Sequence, residues 1–181
     1  MFLRKEELVK YERDCDWSGA LKYLEQLWQS NKHNAELALR LITEYWFVLS
    51  NIECIRCPDS IDEQELKACM ISAVDESDSA GLREIPVYLC VTGYIMIMTP
   101  HLFVSAKRAY DDVITEGKKR LAGAAAKAPH DIFIQMINQG FIQSYDRFKE
   151  YQRRNRNAVN ELPWDETQVS RYFQSILCSV C

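Results

Sequence analysis

Nearly the whole chain repeats its apolar residues at intervals of three and four, the spacing that lines them up along one side of a helix. "WSGALKYLEQLWQS" carries such a stripe in Ala20, Leu21, Leu24, Leu27 and Trp28. "NAELALRLITEYWFVLS" carries a second in Leu37, Leu41, Tyr45 and Val48, with Asn34 placed as the N-cap. Leu66, Met70 and Ala73 mark a third helix after a cap at Asp62. Further stripes run Leu102–Ala106–Tyr110–Val113, Ile132–Met136–Phe141–Tyr145–Phe148 and Val169–Phe173–Ile176–Leu177. Pro58, Pro100, Pro129 and Pro163 fall between stripes, where a missing N–H does least harm, and Pro86 fits a first helical turn or a kink.

These signals predict an all-α chain of about eight helices, as a bundle or a short superhelical array, with no strand. Six Gly and five Pro are too few for a β protein that turns every ~8–12 residues. The Ala-rich "RLAGAAAKAPH" either extends the helix before it or frays. A length of 181 residues and the lack of any Ser/Gly linker favour one domain over residues 1–181. The longest apolar run, "VYLCVTGYIMIM" from Val87 to Met98, falls short of the ~20 residues of a membrane helix and reads as the most buried helix of the core. The first residues turn charged within four positions, without the apolar core of a signal peptide. With seven cysteines, an odd number, the expectation is free thiols in a reducing cytoplasm.

Residues 15–49 resemble one tetratricopeptide unit, taken from its second helix into the first helix of the next. The resemblance rests on Asp16 and Trp17 before the helix, Ala20 at a close-packing position, Tyr23 and Leu24, the restart Asn34–Ala35–Glu36, then Leu41 and Tyr45. Lys32 stands where the family has its junction proline and Ile42 where it has glycine, and no second copy follows at the ~34-residue period. The resemblance implies an antiparallel helical pair and, by analogy, a protein-binding role.

Chemical motifs are scarce. Cys54 and Cys57 form one i, i+3 pair, and Cys178 and Cys181 another. Together they could offer four thiolates to zinc, but their separation is far from the ~15–20 residues of compact zinc modules, so structural thiols are expected. Cys54 lies near a helix C-terminus, where the field disfavours the thiolate that redox work needs. His33, His101 and His130 have no metal-binding partner on one helix face, and there is no H-E-x-x-H, Walker loop, G-x-G-x-x-G or G-x-S-x-G. No catalytic residue, metal ligand or cofactor site is therefore assigned, and the chain is expected not to be an enzyme.

Charge says more. From Asn51 to Glu84 nine acids face three bases, while from His101 to Ala158 eleven bases face six acids. The acids Asp59, Asp62, Glu63, Glu65, Asp75, Glu76 and Asp78 are the candidate partner-binding residues, a docking face for a basic protein. Trp164 or Tyr88 would supply an aromatic anchor beside them. The basic "QRRNRN", Gln152 to Asn157, reads as a solvated helix end on a net-acidic chain, so neither direct nucleic-acid binding nor membrane contact is expected. A small acidic helical chain without catalytic motifs has the character of an inhibitor, of the kind that gives bacteria immunity to a toxin nuclease. The alternatives are a generic tetratricopeptide-like adaptor, or an enzyme with a cryptic pocket.

Overall fold

The computed structural model describes residues 5–53, 62–106, 108–140, 145–162, 164 and 167–178. Over these the chain forms ten α-helices: α1 Glu6–Arg13, α2 Trp17–Ser30, α3 Ala35–Ser50, α4 Glu63–Ser79, α5 Pro86–Met98, α6 Tyr110–Lys127, α7 Ile132–Asn138, α8 Tyr145–Arg154, α9 Arg156–Asn160 and α10 Gln168–Cys178. Short 3-10 helices lie at Leu82–Glu84 and Pro100–Leu102. Among the described residues there is no strand, only one isolated bridge between Ser105 and Arg108. The all-α architecture read from apolar spacing is the one observed.

The caps explain where the helices begin. Asp16 accepts the N–H of Gly19, Asn34 that of Leu37, Asp62 those of Gln64 and Glu65, and Asp131 that of Ile134. Each satisfies a donor that an open helix end would leave orphaned, worth about 1 kcal/mol. Pro86 is the first residue of α5, where its lack of an N–H costs nothing. Gly81 follows the end of α4 at φ 84, the left-handed conformation that closes helices and that glycine adopts without strain.

The chain divides into two compact units, one of residues 1–82 and 165–171, the other of residues 83–164 and 172–181. In the first, α1 packs on α2, α2 on α3 and α3 on α4. Helix α3 is the centre, with twelve buried residues from Leu37 to Leu49. Helices α2 and α3 are joined by the short connection 31–34. In the second unit, α5 and α6 make the closest pair, and α7 packs on both. Helix α5 buries every residue from Tyr88 to Met96, as its unbroken apolar run predicts. The Phe173 ring packs on those of Tyr94 and Phe133, with centroids 5.1 and 5.3 Å away. No helix of the described residues is long and apolar enough to cross a membrane.

One stripe and two short helices differ from the sequence reading. The stripe Leu102–Val113 is interrupted, because the chain leaves the 3-10 turn at Leu102, forms the Ser105–Arg108 bridge and starts α6 only at Tyr110. Alanine and serine at 105–106 are exposed there, so that part of the stripe has no apolar face to bury. Of the two readings left open for the Ala-rich segment, extension holds, since α6 runs through it to Lys127. Helices α1 and α9 arise from stretches too short and charged to show a stripe.

A charged network lies in the core of the first unit. Arg40 of α3 is wholly buried and pairs with Glu12 of α1 and, at 2.9 Å, with Glu44 one turn along α3. The other Glu12 oxygen accepts the N–H of Gln168 at 3.1 Å. One guanidinium thus serves two carboxylates in a dry site, which burial turns into a raised pKa at Glu44 against the pull of Arg40.

Candidate functional site

Helices α2 and α4 both lie against α3 and leave a groove between them. The groove has a volume of about 600 Å³, with Leu41 and Tyr45 of α3 contributing its floor. Glu25, Trp28 and Gln29 come from α2, and Cys69, Ser72 and Glu76 from α4. A smaller hollow of about 190 Å³ shares Glu25 and Cys69 and carries the groove on towards Lys22, Asp62 and Glu65.

Helix periodicity decides which acids meet there. At 3.6 residues per turn, positions 62, 65, 69, 72 and 76 lie along one side of α4. Asp62, Glu65 and Glu76 therefore line the groove, facing Glu25 from α2. Glu63, Asp75 and Asp78 belong to the same helix but point elsewhere, with Glu63 and Asp75 exposed and Asp78 half-buried. Asp59 lies outside the described residues. Of the seven predicted partner-binding acids, then, the fold gathers three, and adds Glu25, which the acidic segment alone could not reveal because it sits on another helix.

The groove carboxylates are not equivalent. Lys32 donates to Glu76 at 2.6 Å, and Ser72 donates to its other oxygen at 3.1 Å. The Lys32 hydrogen bond leads in holding the Glu76 carboxyl below its ordinary range. Asp62 is committed to the helix cap. Glu65 is exposed and lies on the rim. Glu25 accepts a short hydrogen bond from the Tyr45 hydroxyl.

That hydroxyl also touches Cys69, which makes Glu25, Tyr45 and Cys69 the one cluster in the groove with reactive side chains. Its electrostatics run against nucleophilic chemistry. Burial, then the hydrogen bond and charge of Glu25, pushes the Tyr45 phenol far up. Burial likewise raises the Cys69 thiol, with Glu25 and Glu65 adding to the effect and Tyr45 opposing it. A thiol that resists ionisation is a poor nucleophile and a poor metal ligand. Towards a docked cation the cluster offers acceptors, the Glu25 carboxylate and the Tyr45 hydroxyl oxygen.

Tyr88 is not a docking anchor. It lies in the first turn of α5 and is 0% exposed, so it has no surface to offer a partner. Trp164 is half-buried and donates from Nε1 to the Val159 carbonyl at 3.1 Å. Of the basic segment, Gln152 is buried while Arg153, Arg154 and Arg156 are exposed on α8 and α9. His33, His101 and His130 are all exposed. Among the described residues no three His, Cys, Asp or Glu side chains are grouped to hold a metal ion. Cys54, Cys57 and Cys181 lie outside those residues, and Cys178 is half-buried with its thiol raised by burial.

Comparison of the chain with protein-family models, with curated proteins and with solved structures gave no match.

Proposed function

We propose that this chain is a non-catalytic protein-binding module that docks a basic partner on the acidic groove between α2 and α4. The observation that carries this reading is the gathering of Glu25, Asp62, Glu65 and Glu76 from two helices along the groove and the hollow that shares Glu25 and Cys69 with it. Lys22 and Lys32 offset only part of that charge, and Lys32 is already engaged by Glu76. A lysine or arginine entering the groove meets Glu65 on the rim, then Glu25 and the Tyr45 hydroxyl at the floor. Complementary charge of this kind speeds encounter and selects against acidic partners.

The partner is best matched by the cationic surroundings of a nucleic-acid-cleaving site, which makes the chain an inhibitor of immunity type: it covers a toxin nuclease and keeps substrate phosphates out. The raised pKa values of Cys69 and Tyr45 favour binding over catalysis in the same groove. A second reading, an adaptor that takes a linear basic segment, draws on the groove's open run along α2 and on the α2–α3 pair.

The test is to mix the purified chain with a panel of basic nuclease toxin domains and to follow both complex formation and nuclease activity. A 1:1 complex that inhibits the nuclease, and weakens steeply between about 0.05 and 0.3 M salt, is expected. Glu65→Lys should weaken it by roughly tenfold or more. Binding without inhibition would favour the adaptor. No salt-sensitive complex with any member of the panel, or indifference to Glu65→Lys, would overturn the docking site.

A further inference from the structure

The second unit holds a cleft of a different character. It has a volume of about 300 Å³, and three arginines from three separate segments line it. Arg83 comes from the 3-10 turn before α5, Arg108 from the extended stretch bridged to Ser105, and Arg120 from α6. Behind them the wall is apolar, formed by Met96 and Val113, each 2% exposed, and by Phe103, which is fully buried.

Two of the arginines, Arg83 and Arg120, are held in position by the protein. Arg120 is only 3% exposed, and its Nη1 donates to Thr92 Oγ1 at 3.0 Å. Its Nε donates to Glu116 Oε1 at 3.0 Å, and Arg83 Nη2 donates to the same oxygen. One carboxylate oxygen therefore serves two guanidiniums. Counting Asp112, the lining carries three cations and two anions, a surplus of one positive charge against an apolar wall. Guanidiniums are planar forks that match carboxylates, and those fixed in advance lose little freedom when a ligand arrives.

We propose that this cleft binds a small organic acid as its carboxylate, with the acid group among Arg83, Arg108 and Arg120 and the hydrocarbon part against Phe103 and Met96. The single surplus charge suits a monoanion, whereas Asp112 and Glu116 repel a dianion such as phosphate. The volume lies at the small end of ligand pockets, which limits the ligand to a ring or a short chain. The inference is independent of the groove, since no residue is shared.

The experiment titrates the full ¹⁵N-labelled chain with benzoate, benzylamine and inorganic phosphate in parallel. Benzoate should saturate below about 10 mM, with the largest amide shifts at residues around Met96, Phe103 and Val113. Arg108→Gln, a change outside any helix, should weaken benzoate at least roughly tenfold while amide signals away from the cleft stay in place. Arg83→Gln should act in the same direction and serves as a second variant. Absence of saturation, equal response to benzylamine or phosphate, or unchanged affinity in both variants would overturn the assignment.

Discussion

At the scale of single residues, Arg40 decides the most. Its neighbours Glu12 and Glu44 are 5% and 1% exposed, so removing the guanidinium would strand two carboxylates without water. Arg40→Met should therefore cost about 3–5 kcal/mol in urea unfolding, and adding Glu44→Leu together with Glu12→Gln should recover much of it, because no buried carboxylate then needs a counter-ion. Glu44 also makes stability depend on pH. Its carboxyl lies above the ordinary value of 4.5, so the folded chain keeps a proton that the unfolded chain releases. That contribution is complete below the unfolded value and is lost as pH rises through the folded one. Glu44→Gln stays neutral at every pH, so its urea midpoint should gain on the unsubstituted chain as pH climbs from about 4 to about 8. A constant difference across that range would contradict the assignment. In the sequence the signal for this network was the i, i+4 pair Arg40–Glu44 within an otherwise apolar stripe; Glu12, remote on a charged α1, gave none.

At the scale of elements, the pair α5–α6 is set by two glycines. A Cβ at Gly93 would stand 2.8 Å from the Gly117 carbonyl oxygen, and one at Gly117 would stand 2.9 Å from that of Gly93. Backbone cannot step aside as a side chain can. Gly117→Ala should thus lose about 1–3 kcal/mol from overpacking despite alanine's better helix propensity. Gly123 is the control, since its Cβ would meet only Leu89 Cδ1 at 3.7 Å. Gly123→Ala should instead gain about 0.5–1 kcal/mol, and equal behaviour of the two variants in thermal melts would refute the close-crossing account. This contrast also marks what sequence can convey. Amphipathic stripes and capping residues Asn34 and Asp62 placed α2, α3 and α4, because they depend on local spacing. The Gly93–Gly117 contact and the gathering of Glu25 with Glu65 depend on which helix faces meet, and nothing in the local pattern encodes that. The break at 103–109 was hidden because its apolar residues keep a helical spacing that the backbone does not follow.

At the scale of the molecule, charge is divided between the units. The first holds eighteen Asp and Glu against ten Lys and Arg, the second eight against twelve, so their formal charges are −8 and +4. The acidic groove belongs to the first and the arginine-lined cleft to the second, so each site lies in the unit whose field favours its ligand. A diffuse field and a local groove can be told apart. Glu65→Gln and Asp75→Gln change the net charge by the same amount, but Glu65 lies on the groove rim and Asp75 on another face of α4. With a Debye length of about 8 Å at physiological salt, a charge on the far face is largely screened from a cation in the groove. If docking is local, Glu65→Gln should slow association with the basic partner several-fold more than Asp75→Gln at that salt. The gap should narrow when salt is lowered tenfold, because the screening length then grows to about the width of the unit. Equal effects at both salts would mean that the partner responds to the field of the whole acidic unit, and the groove would lose its claim to be the binding surface.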